Sequence, residues 1–187
     1  MEPIGVLAIN PETKEQPHDF TKTVQVATSY FPSETWDGIE YLGEINARCD
    51  VRILVGKSVH EAFLFRRLVE KVNVFRKRSN WINVLLGITV KPVIATHWCF
   101  DGIRFKRVSY FVVDYVAKSV GIVSFYQVEG EFPTKVVAHG LGHSKGLRHH
   151  TEPLDVMYSD LLRASTLYVE GFCHTCKTEI ANAYSID

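Results

Sequence analysis

The segment that most constrains this chain runs from Val136 to Tyr158, VVAHGLGHSKGLRHHTEPLDVMY. Within it His139, His143, Gly146 and His149 follow the pattern H-x-x-x-H-x-x-G-x-x-H. Residues four apart on a helix share a face, one turn above the other, so His139 and His143 can aim their imidazoles at one point. Gly146 can take the left-handed conformation that ends a helix and turns the chain sharply. His149 then returns to the same point. A fold that holds this segment must place a helix, a tight turn and a returning stretch of chain around one position.

Three imidazoles at one point leave a fourth tetrahedral position free, the open geometry of a zinc ion that keeps a water. Met157 follows His149 by eight residues, where such a motif has a tight turn beneath the metal. The position after the first histidine is Gly140, which offers the site no side chain.

The rest of the chain sets bounds on this reading. Its 187 residues suit one domain, and 46% apolar residues are enough for a core. With 21 basic and 21 acidic residues the net charge is zero. No global field then favours nucleic acid or an anionic membrane, and neither is expected as a partner. The N-terminus lacks a basic segment followed by a long apolar run, so no signal peptide is expected. The longest apolar stretch, WINVLLGITVKPVIATHWCF, is broken by Lys91 and Pro92, too early for a bilayer span. We therefore expect a soluble, cytoplasmic protein. Cys173 and Cys176 form a C-x-x-C that suggests metal or redox chemistry, whereas Cys49 and Cys99 read as small core residues.

Periodicity and punctuation predict an α/β (α+β) domain whose strands all precede the histidine helix. IGVLAIN reads as a strand, residues 11–22 as a loop, and TVQVATSYF as a second strand. Residues 33–49 read as a helix capped by Ser33 and weakened by Gly38 and Gly43, followed by a short strand, DVRILVG. Residues 58–78 read as a helix with Ser58 and Glu61 in capping-box spacing, its basic residues forming a solvated face. WINVLLGITV is a further strand, and residues 107–128 a pair of strands turning near Lys118–Gly121. SVGIVSFYQV is the candidate edge strand, and the histidine helix should start at Pro133 or Thr134.

These residues resemble the metzincin zinc peptidases and, within them, the archaemetzincin family. The resemblance rests on His139, His143, Gly146, His149, Met157, Cys173 and Cys176, over about 40 residues. It implies a mixed twisted sheet with packed helices, a catalytic-type zinc on the helix, a Met-turn at Met157 and a structural zinc held by four cysteines. It also implies an N-terminal subdomain over 1–146 and a small C-terminal one over 147–187. Where the family has its first two structural cysteines this chain has His150 and Asp155. Both can ligate zinc, so His150, Asp155, Cys173 and Cys176 would form a site of mixed donors, with aspartate a harder and weaker ligand than thiolate.

The second departure bears on activity. The resemblance implies a glutamate after the first histidine that takes a proton from the metal-bound water and passes it to the leaving amine. Gly140 can do neither, and general acid–base catalysis is worth about 10²- to 10⁴-fold. The carboxylates nearest in sequence, Glu129, Glu131, Glu152 and Asp155, do not lie on the helical turn that would face the water. Two glycines in one turn, Gly140 and Gly142, also weaken the helix by about 1 kcal/mol each relative to alanine. Three functions stay open. The first is a zinc protein of the peptidase fold with hydrolysis lost or strongly reduced, retaining a peptide or protein ligand. The others are an active peptidase with a non-standard base and a metal-stabilised interaction module. On the first, Gly140→Glu should recover some cleavage.

Overall fold

The computed structural model describes residues 2–152, 154–159, 161 and 171–183. Part of the expected C-terminal segment, residues 162–170 and 184–187, lies outside them. The chain runs β1 (Glu2–Ile9), α1 (Gln16–Thr28), β2 (Trp36–Ile45), β3 (Val51–Val55), β4 (Ser58–Leu64) and α2 (Phe65–Arg78). It continues with β5 (Leu85–Thr89), β6 (Val93–Phe100), β7 (Phe105–Phe111), β8 (Asp114–Val116) and β9 (Val120–Ser124). Two helices close it, α3 (Phe132–Ser144) and α4 (His174–Ala183).

Strands β2-β1-β5-β9-β8 form one sheet, parallel except for β8, which pairs antiparallel with β9. Its central strands are continuous apolar runs because both faces are covered. Side chains alternate between those faces. Ile4, Val6, Ala8, Leu86, Ile88 and Val123 pack with α1 and α3, whereas Leu7, Ile9, Leu85 and Ile122 pack with α2. Phe172, Cys176 and Ile180 join the first of these clusters, and the Phe172 ring meets Phe31 edge-on at 4.7 Å. The smaller sheet, β3-β4-β6-β7, extends beside the first.

Several local expectations are corrected. Residues 16–28 are helix α1, not loop and strand. The valines of TVQVAT fit an alternating pattern, but Phe20, Val24 and Ala27 are the buried residues, at helical spacing, and a proline stands in the first turn. Residues 36–45 are strand β2, not helix. Gly38 and Gly43 have φ of +103° and +119°, and the β1–β2 register slips beside them. They are bulges in a parallel strand rather than weak points of a helix. Ser58 and Glu61 belong to β4; helix α2 begins at Phe65 without a side-chain cap. The two-residue turn at Gly56, φ +60°, folds β4 back on β3. Residues 93–100, not assigned from sequence, pair with β7 as a hairpin. The edge strand on this side of the sheet is β8; residues 120–124 lie inside the sheet between β5 and β8. Of the two cysteines read as core residues, Cys99 is exposed on β6 and Cys49 is partly buried. No described helix is long and apolar enough to cross a membrane.

Candidate metal centre

Helix α3 starts with a proline in its first turn and is buried from Lys135 to Gly142. It ends as the glycine predicts. Gly146 has φ +89°, its N–H donates to the His143 carbonyl at 3.0 Å, and the Leu147 N–H returns to the Gly142 carbonyl at 3.1 Å. This closing turn also presents the Leu147 carbonyl to Nδ1 of His143, at 2.9 Å. The chain then brings His149 back, its ring stacked on His139 with centroids 5.0 Å apart and on edge to His143 at 4.6 Å.

The ligand nitrogens converge. Nε2 of His143 and Nε2 of His149 lie 3.0 Å apart, and the donor atoms of the three histidines all fall within 4.8 Å of one another. Nδ1 of His139 is 2.9 Å from Oδ2 of Asp114, an acceptor that selects the Nδ1–H tautomer, in which Nε2 keeps its lone pair. That Nε2 is buried and has no hydrogen-bond partner. A buried imidazole nitrogen left unmatched, facing two others, fits a cation. Burial holds His143 below its ordinary pKa, opposed by the bond to Leu147. Burial first, and then the neighbouring His139 and His143, hold His149 low. Neutral imidazoles are the form that ligates metal.

Asp114 is the site residue that sequence reading missed. It opens β8, its side chain is about 10% exposed, and it is the single charged residue between Val108 and Val116. An acid isolated in an apolar strand is a signal that a partner exists. The partner lies 25 residues on, and only the fold brings them together. Among the described residues, the triad's hydrogen-bond and ion-pair partners are Asp114, the Leu147 carbonyl and one another, and Glu129, Glu131, Glu152 and Asp155 are not among them. Oδ2 of Asp114 meets the Nδ1 side of the His139 ring, leaving Nε2 as the nitrogen open to a metal.

Gly140 faces β8. A Cβ there would stand 2.6 Å from Cγ2 of Val116 and 3.2 Å from Oδ2 of Asp114. The space that Gly140 leaves is therefore filled. Two residues on, a Cβ at Gly142 would stand 2.6 Å from Sδ of Met157, which is fully buried. Beside the triad a cavity of ≈ 390 Å³ is lined by Tyr110, Phe111, Asp114, Val136, His139 and His149, among others.

The second group predicted from sequence also comes together. Nε2 of His150 is 3.1 Å from Oδ2 of Asp155, 3.4 Å from Sγ of Cys176 and 3.8 Å from Sγ of Cys173. The Cys176 N–H points at Sγ of Cys173, 3.5 Å away. Asp155 is fully buried, and its two oxygens accept short hydrogen bonds from the N–H groups of Met157 and Cys173. Burial raises its pKa, but the Cys173 side chain, these N–H groups and His150 together carry it below the ordinary value. Burial pushes the Cys176 thiol well up, and the charge of Asp155 adds to this. A thiolate there needs a cation to hold it. The donor set of two sulfurs, one imidazole and one carboxylate fits zinc.

The sequence matches no protein-family model and no curated protein. Solved structures do match. A zinc-dependent peptidase from Methanocorpusculum labreanum is 14% identical with a TM-score of 0.61, over 95% of this chain and 99% of that one. Archaemetzincin from Methanopyrus kandleri is 16% identical with a TM-score of 0.60, over 98% of this chain and 95% of that one. The chain has their fold.

Proposed function

We propose that this chain is a zinc-binding member of the archaemetzincin family whose peptide hydrolysis is lost or strongly reduced. The observation that carries the metal is the buried, unpartnered Nε2 of His139 at the convergence of three imidazoles. His139, His143 and His149 would hold the ion, oriented by Asp114 and by the Leu147 carbonyl. His150, Asp155, Cys173 and Cys176 would hold a second, structural ion, and Met157 would form the Met-turn of the small segment after Gly146. The names of the two similar structures, a zinc-dependent peptidase and an archaemetzincin, support zinc as the metal.

Zinc bound by three histidines lowers the pKa of a coordinated water to about 7 and polarises a carbonyl. What this chain adds is restricted. Gly140 has no side chain to act on the water, and Oδ2 of Asp114 is engaged with Nδ1 of His139. Losing the general base removes about 10²- to 10⁴-fold of rate. The cleft keeps features suited to a peptide: among the described residues no strand pairs with the outer edge of β8, and the cavity beside it carries apolar and aromatic side chains.

The test combines metal analysis of protein purified without chelator with hydrolysis of a mixed peptide library. At least one zinc per chain and no robust cleavage are expected. Less than one zinc per chain would sink the metal reading. Efficient turnover abolished by chelation would instead favour an active peptidase with a non-standard base.

A further inference from the structure

We infer that Gly140 and Asp114 form one device: the glycine lets β8 seat against α3, and β8 then delivers Asp114 as the residue that positions His139. This rests on the reading that the triad holds a metal, but its packing half stands without one.

Val116 is the contact that joins the two. It is 6% exposed and lies between two glycines. A Cβ at Gly140 would stand 2.6 Å from its Cγ2; a Cβ at Gly121, its pairing partner on β9, would stand 2.9 and 3.0 Å from its two methyls. Val116 fills the space that both glycines leave, and a β-branched side chain has few rotamers to move into. A side chain at 140 would therefore push β8 away from α3. Asp114 is two residues earlier on the same three-residue strand, and its Oδ2 lies 3.2 Å from the same Cβ position. Displacing β8 displaces the carboxylate from Nδ1 of His139, releasing the tautomer and ring orientation that a ligating histidine needs. On this account Gly140 is more than the trace of a missing glutamate. The site has a strand-borne carboxylate that orients a ligand where the family has a helix-borne one that works on water.

The decisive variant is Gly140→Ala, which adds one methyl and no chemistry. In an unencumbered helix interior this change stabilises, so the sign of its effect discriminates. We expect the metal-free protein to melt at a lower temperature, and zinc affinity, read by competition with a chromogenic chelator, to fall about tenfold or more. Adding Val116→Ala should return most of both losses, a coupling that independent sites would not show. Asp114→Ala should weaken zinc by about tenfold to a hundredfold, and Asp114→Asn, which keeps an acceptor for the Nδ1–H, by less. Nitrogen NMR of the metal-free protein should show His139 protonated at Nδ1, and a mixture of tautomers in Asp114→Ala. A higher melting temperature for Gly140→Ala with unchanged zinc affinity would overturn the packing half. An Asp114→Ala protein with wild-type affinity and tautomer would overturn the positioning half. If the wild type binds no zinc, the metal reading fails, while the melting and NMR comparisons still decide this one.

Discussion

Nε2 of His143 lies 3.0 Å from Nε2 of His149, while the Nδ1 proton of His143 is given to the Leu147 carbonyl at 2.9 Å. With His143 neutral, its Nε2 presents a lone pair to His149, so the gap is filled well by one proton or one metal ion and badly by two protons. Burial, the leading cause for both residues, keeps their pKa values below the ordinary 6.5.

That relationship sets a pH dependence. A histidine whose folded pKa is lowered binds fewer protons folded than unfolded below about pH 6.5. Its contribution to stability is complete above the unfolded value and declines as pH falls through 6.5 towards the folded value. The melting temperature of the metal-free protein should therefore drop between pH 7 and pH 5. The zinc-bound protein should drop more steeply, since protons then also compete for the ligands. Scanning calorimetry with and without chelator measures both. A metal-free melting temperature that rises on acidification would contradict the lowered values.

Gly142 gives a second prediction. Its absent Cβ would lie 2.6 Å from Sδ of Met157, 3.2 Å from Cε1 of Phe172 and 3.3 Å from Cδ1 of Leu147. Methionine usually adapts, but this one is fully buried with neighbours on the same spot. Gly142→Ala should destabilise by ~1–3 kcal/mol through overpacking, against the ~1 kcal/mol that helix propensity would return. Urea unfolding resolves the sign. A stabilised variant would mean that Met157 can move aside.

These contacts mark how far the sequence could be read. The triad was legible because helix geometry ties His139 to His143, and one glycine conformation ties both to His149; all of that is local. The mixed cluster was legible by resemblance alone, since nothing local brings His150 to Cys176. Asp114 was not legible, because its contact depends on where β8 sits at the sheet edge. The same holds for the two glycines of α3. Read locally they are helix liabilities, and their reason lies in Val116 and Met157 across the interface. Residues 23–28 read as strand because Val24 and Val26 satisfy alternation, while Phe20, Val24 and Ala27 satisfy a helix. Burial against the sheet selects the second pattern.

Asp155 gives a third prediction. Its buried oxygens serve the Met157 and Cys173 N–H groups and face His150. Asp155→Ala leaves two backbone donors unmatched, at about 1–3 kcal/mol each where they are buried. It should lower stability by ~3 kcal/mol or more and release metal from this cluster only. Denaturant unfolding together with zinc stoichiometry checks it. Loss of stability without loss of metal would make Asp155 a structural acceptor rather than a ligand.

The last prediction concerns putting the glutamate back. From sequence alone Gly140→Glu should recover some hydrolysis, because the missing base is the evident deficit. The structure opposes this. The new Cβ would meet Val116 at 2.6 Å and Asp114 at 3.2 Å, and the side chain would bring a second carboxylate beside the first. Like charges in so small a space disfavour the ionised form of one of them, which is the form a base requires. Gly140→Glu should therefore unfold more readily than wild type, by ~1–3 kcal/mol, bind zinc more weakly and gain less than about tenfold in peptide cleavage. Gly140→Glu combined with Val116→Ala and Asp114→Ala removes both obstacles and should be the more active of the two, even at lower zinc affinity. Melting temperature, zinc titration and cleavage of a peptide library, measured on both variants, separate the outcomes. If the single variant hydrolyses peptides efficiently at wild-type stability, the glutamate alone was missing and the packing around Gly140 does not restrain the chemistry.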